Sequence, residues 1–171
     1  MTDGQLKKLA AVSPSIDETH TGSRNWEKAR LKVVKEQRKI ADQRKDFHHK
    51  LSRAIADNCT AFICEDLTVK NMMKNRHLAK AIASVGWSQF LTMVKYKMER
   101  AGKYFRKVSR WYPSSQTCGC CGYKNADVKD LAVRKWVCPK CGTLHDRDIN
   151  AQQNIFRMGM RLLQAEGIKI I

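Results

Sequence analysis

Nowhere does the chain hold a run of about 18 apolar residues, the minimum for a helix that crosses a membrane. Its start, M-T-D-G-Q-L-K-K-L, lacks an apolar core segment, so no secretory signal peptide is expected. Neither an internal repeat nor a low-complexity tract occurs, which sets aside repeat architectures. Acidic residues are scarce: 16 Asp and Glu stand against 33 Lys and Arg, a formal charge of +17. That imbalance calls for a polyanionic partner. An anionic membrane surface would also suit the charge, but the basic residues are spread over several segments and no apolar run accompanies them. No membrane partner is expected. Length adds a bound, since 171 residues suffice for one domain with a core plus a small metal-held insert.

Cysteine is not scarce. There are seven, four of them at metal-ligand spacing, which suits a reducing cytoplasm better than a disulfide scaffold. Cys118 and Cys121 form one C-x-x-C pair, and Cys138 and Cys141 a second; each is followed at once by Gly, at 122 and 142. Such a knuckle turns sharply, so that backbone N–H groups face the sulfurs. The gap between the pairs fits the roughly 15–20 residues of a four-cysteine zinc site. Tetrahedral Zn²⁺ held by four sulfurs keeps no open position, so this metal is structural. Cys120 stands too close to Cys118 for the usual knuckle, and Cys59 and Cys64 read as buried residues beside an apolar strand. Immediately after the second knuckle, Asp146 and Asp148 open a helix, where their ordinary role is capping and dipole stabilisation, about 0.3–1 kcal/mol each. The ribbon reads as a brace that sets where these carboxylates sit.

The remaining pattern is that of an α/β chain. Residues 23–57 predict one long helix with a narrow apolar stripe, Trp26, Val33, Ile40, Phe47 and Ala54, joined by Ala29, Leu51 and Ile55. The rest of its surface is basic and includes Arg38, Arg44 and Lys45. It reads as a solvated face or as a rod along a nucleic-acid backbone, with a coiled-coil dimer as the weaker option. His48 and His49 read as surface or interface residues. Residues 60–67, T-A-F-I-C-E-D-L, predict a buried parallel strand that ends at Glu65. Ligands of open α/β sheets bind at such ends, although a strand-end carboxylate is more often simply solvated. Residues 68–84 read as an irregular or partly helical connector. Trp87, Phe90, Leu91, Val94, Met98 and Ala101 mark an amphipathic helix stopped by Gly102, and residues 104–108 a second strand. Arg106, Lys107, Arg110, Trp111 and Tyr112 combine charge with aromatic rings, a composition that suits nucleic acid. Ile149, Ala151, Ile155, Met158 and Leu162 predict a final helix packed on the sheet. Leu6–Val12 suggests a short strand or helix, and G-I-K-I-I a last strand or a docked end.

Three motifs, I-C-E-D-L-T-V-K-N-M, P-S-S-Q-T-C-x-x-C-G and C-P-K-C-G-T-L-H-D-R-D-I-N-A-Q-Q-N-I, together resemble the C-terminal part of the TnpB (OrfB) proteins of insertion sequences. That family comprises RNA-guided DNA nucleases related to the type V CRISPR effectors, and the resemblance runs from about residue 22 to about 160. It implies a truncated RNase H-like (RuvC) fold with an inserted four-cysteine zinc ribbon. The parts would be an N-terminal remnant (1–21), an incomplete nuclease core (22–113), the ribbon (114–143) and a C-terminal helix completing the core (144–171). By position Glu65 matches the family's second catalytic carboxylate and Asp148 its third, with Asp146 as fallback. Such a nuclease holds two Mg²⁺ or Mn²⁺ ions roughly 3.5–4 Å apart, and these hard cations take carboxylate and phosphate oxygens. The implied partners are DNA and a guide RNA. The family's first acid lies in a D-x-G strand motif, which is not found here: no apolar strand leads into Asp3, and Asp17 lies in a polar loop. The resemblance therefore implies a chain that begins just after that strand, with impaired activity and an unpaired edge beside the Glu65 strand. The competing reading is a non-catalytic zinc-ribbon protein that binds DNA or RNA through its basic surface.

Overall fold

The computed structural model describes residues 21–169. The expectations for Leu6–Val12 and for the last residues of the tail lie outside them. In chain order the elements are α1 (Arg24–Asn58), β1 (Ala61–Glu65), α2 (Val69–Met72), α3 (Arg76–Val85), α4 (Trp87–Arg100), β2 (Tyr104–Val108), a 3-10 turn (Ala126–Lys129), β3 (Lys135–Val137), β4 (Leu144–Asp146) and α5 (Arg147–Ala165). Two compact units share them. Among the described residues one holds 21–57 and 69–97, the other 58–68 and 98–169. Among the described residues no helix is long and apolar enough to cross a membrane.

In the first unit α1 begins where Ser23 caps it, the hydroxyl accepting from Trp26 N–H at 3.1 Å. Its stripe departs from the sevenfold pattern. Trp26, Ala29, Val33 and Ile40 are buried or half-buried as expected, but further along Phe47 is 60% exposed and Leu51 and Ala54 are exposed, whereas His48, Ser52 and Ala56 are buried. The reading of His48 as a surface residue is thus corrected: its ring lies 5.4 Å from that of Phe90 and above Gly86, so α4 and the α3–α4 junction cover it. The connector is partly helical, the second of the two expectations for it, and contains α2 and the longer α3. Asn75 caps its start by accepting from His77 N–H, and Gly86 ends it in the left-handed region. Asn75 and Gly86 were the signals for it. Arg44 donates to the α3 carbonyls of Ala83 and Ser84; Ala83 O also accepts from Gly86 N–H, so the guanidinium adds to the capping of the helix end.

Burial, and then the Arg44 charge, hold the His48 imidazole below its ordinary value. The unfolded chain therefore takes up a proton first as pH falls below about 6.5. The His48 contribution to stability is whole above that value and is lost as pH drops through the lower folded one. Melting temperature of the wild type should fall between about pH 7.5 and 5, and His48→Gln should flatten that dependence.

In the second unit β1 and β2 run parallel, in register from Ala61 opposite Tyr104 to Glu65 opposite Val108. Of β1 only Cys64 is fully buried, so the strand is parallel as expected but only half covered. Among the described strands β2 is its single partner. Helix α5 crosses this pair, and here too the buried face is displaced from the expected one. Ile149 is 56% exposed, while Arg147, Asn150, Asn154, Gly159 and Leu163 are buried. Gly159 faces Ile63 so closely that a methyl group in its place would fall within 2.9 Å of three Ile63 side-chain atoms. Gly159→Ala should gain about 1 kcal/mol of helix propensity yet lose about 1–3 kcal/mol to overpacking. The expected outcome is a lower urea midpoint, whereas in an Ile63→Ala background the same substitution should cost nothing further, because the clash is then gone.

Candidate metal centre and acidic cleft

The two knuckles are built alike. Cys118 N–H donates to Tyr123 O and Gly122 N–H to Cys118 O, at 2.7 and 2.9 Å; Cys138 N–H donates to Thr143 O and Gly142 N–H to Cys138 O, at 2.9 and 2.8 Å. Gly122 and Gly142 have φ of +75° and +72°, the left-handed conformation that a side chain disfavours. The four Sγ atoms lie within 4.8 Å of one another. Cys118 and Cys141 are 3.7 Å apart, and Cys121 and Cys138 3.6 Å. A disulfide would need about 2.05 Å. Four sulfurs at about 2.3 Å around a tetrahedral zinc stand about 3.8 Å apart, so the spacing fits that ion.

Four crowded thiols cannot all ionise without a cation. Hydrogen bonds from Thr143 pull Cys141 down to about 6. For Cys121 the backbone bond at Tyr123 works downward, but burial and the neighbouring sulfurs outweigh it and push the thiol up to about 12. The donor set therefore asks for a soft cation that keeps every sulfur as thiolate. Around it the ribbon core is small: Val128 and Trp136 with the buried Cys118 and Cys138. His145, to which the sequence reading gave no role, lies 4.7 Å from the Trp136 ring with its Nε2 3.0 Å from Cys118 Sγ. In the Nε2–H tautomer it donates to that sulfur and steadies the thiolate. A histidine between a knuckle and an acidic pair was the available signal.

Strand β4 runs from the second knuckle into α5 without a break. Asp146 is the N-cap, its Oδ1 accepting from Asp148 N–H and Ile149 N–H at 3.0 and 3.1 Å. Asp148 lies in the first turn, well exposed, with Arg134 at 3.6 Å. Between β1 and α5 lies an open cleft of about 500 Å³. Ile63, Cys64 and Glu65 line one wall, and Asp148, Gln152 and Phe156 line another. Glu65 and Asp148, remote in sequence, thus share one cleft. Asp146 instead borders a separate hollow with Gly119 and Cys120.

Neighbouring acids at the end of β1 have opposite electrostatics. Burial pushes the Glu65 carboxyl above its usual value, and among the described residues no cation pairs with it. Asp66 is held below the usual carboxylate range by Lys107, 3.0 Å away, with Arg110 at 3.4 Å. Arg106 pairs with Glu166. Trp111, next to Arg110, is 85% exposed. On α1 Arg38 faces Asp42 at 4.0 Å, Lys45 is exposed, and Arg44 is engaged by the α3 carbonyls.

Comparison with known proteins adds kinship to this geometry. Residues 2–76 match the OrfB_IS605 family model, described as "Probable transposase", and residues 87–155 match the Cas12f1-like TNB domain. A Streptomyces pristinaespiralis protein named "Putative RNA-guided DNA endonuclease" is 42% identical over 90% of this chain and 38% of its own length. A similarly named Escherichia coli K12 protein, InsQ, is 29% identical over 92% of this chain and 42% of its own. The mimivirus TnpB-like protein L79 is 24% identical over 94% of this chain. The chain thus spans well under half the length of these curated relatives. Among solved structures, the Cas12f1–sgRNA–target DNA complex matches 88% of this chain and 40% of its own with a TM-score of 0.59, at 19% identity, which bears on fold alone.

Proposed function

We propose that this chain is a relative of the TnpB (OrfB) proteins, as the matches over residues 2–76 and 87–155 suggest, and that it carries part of the divalent-metal centre of an RNA-guided DNA endonuclease. The observation that carries the proposal is the shared cleft, with Glu65 on β1 and Asp148 on the first turn of α5. On this reading the β1–β2–α5 unit is a portion of an RNase H-like (RuvC) fold, and the ribbon is its zinc-held insert. When bound there, Mg²⁺ or Mn²⁺ supplies the charge that lowers the barrier to phosphodiester hydrolysis. Glu65 and Asp148 would be its ligands: hard oxygens suit such a cation, and among the described residues no Lys or Arg already pairs with Glu65. Asp146, spent on the helix cap, is the less suited candidate. Arg134 beside Asp148 would hold its carboxylate in place before the cation arrives.

A polynucleotide would contact basic residues of each unit taken by itself: Arg38 and Lys45 on α1 in the first, and Arg106 and Lys107 on β2 with Arg110 just after it in the second, where Trp111 is a face on which a base can stack. Arg44 joins them only if it leaves the α3 carbonyls. Five or six such contacts predict that log affinity falls with log salt with a slope of about −4 to −5. Filter binding to single-stranded RNA and duplex DNA across salt checks this, and a flat response would remove nucleic acid as the partner.

The sequence holds no D-x-G motif that ends a strand, so this stretch supplies two acids and cleavage by it alone is expected to be slow. Incubation with RNA and DNA in Mg²⁺ or Mn²⁺, with Glu65→Ala alongside, tests the nuclease reading. Cleavage that Glu65→Ala abolishes supports it. Equal cutting by both proteins marks a contaminant. Tight, salt-sensitive binding with no response to divalent cations would favour a non-catalytic zinc-ribbon binding protein instead.

A further inference from the structure

Two buried amides join the ribbon to the helix that bears Asp148. Asn150 and Asn154 stand one turn apart on α5 and are 2% and 4% exposed. Asn150 Nδ2 donates to Thr117 O at 2.8 Å, while its Oδ1 accepts from Gly119 N–H at 2.9 Å. Asn154 Nδ2 donates to Ser114 O and Thr117 O, at 2.9 and 2.7 Å. Arg157, a further turn along, donates to Gly119 O. Four of these five bonds end on Thr117 and Gly119, the backbone neighbours of Cys118, a ligand of the candidate zinc site, and the fifth ends on Ser114 just before them. Gly119 has no room for a side chain: a methyl there would stand 2.9 Å from Asn150 Oδ1 and 3.1 Å from Arg157 Nη1.

A buried amide is tolerated only when its polar atoms are satisfied, and here both ends of Asn150 and the amide nitrogen of Asn154 find their partners on the backbone leading into the first knuckle rather than on the helix or sheet. The knuckle backbone in turn keeps its path only while its cysteines are held. Asp148 lies in the same helical turn as Asn150. A second tie to the ribbon, through β4 and the Asp146 cap, reaches the same turn from the second knuckle.

We propose that Asn150 and Asn154 are positioning residues, a latch that makes the order of the first turn of α5 depend on the metal-loaded ribbon and thereby sets where Asp148 points. The Asp148 half of this rests on the cation site proposed above; the coupling of ribbon to helix does not.

The test uses the full chain with Co²⁺ in the ribbon, whose tetrathiolate absorption reports whether that site is intact. Two further quantities are read: hydrogen exchange of peptides spanning the first turn of α5, and Mn²⁺ binding by electron paramagnetic resonance. In the wild type, chelating the ribbon metal should speed first-turn exchange about tenfold, the factor for roughly one buried hydrogen bond. Asn150→Ala should keep the cobalt spectrum yet show that faster exchange already in the metal-loaded state, with weaker Mn²⁺ binding. Should that variant lose cobalt, Gly119→Ala replaces it, since it pries the latch from the ribbon side and leaves both amides in place.

Wild-type exchange in a cobalt-loaded variant overturns the latch. So does a wild-type first turn indifferent to chelation, or loss of cobalt by both variants, which would make the amides part of the ribbon's own folding. If exchange responds as expected but the wild type binds no Mn²⁺, the latch stands and the cation site falls. If Mn²⁺ binds and neither readout changes in the variants, the latch alone falls.

Discussion

Stripping the ribbon of its metal is expected to unfold residues 114–146, and Cys138→Ser is expected to do the same with metal present. The reason is the size of its core. Val128 and Trp136 are the buried apolar residues besides the sulfurs, and β3 and β4 have three residues each. Burying such side chains supplies about 1.5–3 kcal/mol apiece, whereas a structural zinc in a small host contributes about 10–16 kcal/mol. Metal therefore decides whether the ribbon folds. With zinc bound, a thiol reagent should find exposed Cys120 first and half-buried Cys59 more slowly, buried Cys64 should stay protected while its strand is folded, and the four ribbon cysteines should react only after chelation. Trp136 fluorescence should shift at the same step. Acid should act as chelation does, because protons compete for the sulfurs as pH falls. If all seven thiols react alike in the metal-loaded chain, the tetrathiolate site is wrong.

Glu65→Gln is expected to have opposite effects on function and on stability. Burial raises the Glu65 carboxyl above its unfolded value, so between those two values the folded chain holds the extra proton. Stability then falls as pH rises through that window, and above it the bare carboxylate is a net cost. Gln fills the same space without charge. Without divalent cations the variant should melt higher than wild type at neutral pH, and the gap should close once pH drops below about 4. With Mn²⁺ added, only the wild type should gain stability, since a ligand that binds the folded state alone raises its melting temperature. Loss of a ligating carboxylate should weaken cation binding by more than the 10–100-fold typical of residues behind the ligands. A variant that melts lower than wild type and still responds to Mn²⁺ would place Glu65 outside the cation site. Asp148→Asn should also lose the Mn²⁺ response, but without the stability gain, because that side chain is exposed.

Much of the local structure was legible in the sequence because short-range spacing encodes it. The knuckles follow from C-x-x-C-G, since a turn around one ion needs cysteines three apart and a residue that tolerates positive φ. The spans of α1, α4, β1 and β2 follow from apolar periodicity and from stops such as Gly102. Even the parallel sense of β1 and β2 was foreshadowed by an apolar run that closes on acids. The two motifs bearing Glu65 and Asp148 were visible too, each as a resemblance rather than as a shared site.

Only the tertiary structure decided which faces are covered. On α1 the stripe gave way to His48, Ser52 and Ala56, because α4 and Gly86 close over that side and leave Phe47 exposed. On α5 the apolar residues Ile149 and Phe156 stay exposed while Asn150, Asn154 and Gly159 are buried. Hydrophobicity alone would place those three behind Ile149 and Phe156. They are inside because the knuckle backbone satisfies both amides and because Ile63 needs the space above Gly159. The meeting of Glu65 and Asp148 in one cleft has the same origin. Spacing along a chain dictates turns, helices and metal knuckles, whose partners lie a few residues away, but which side chains become neighbours across the fold depends on shapes and hydrogen-bond partners that no single segment carries.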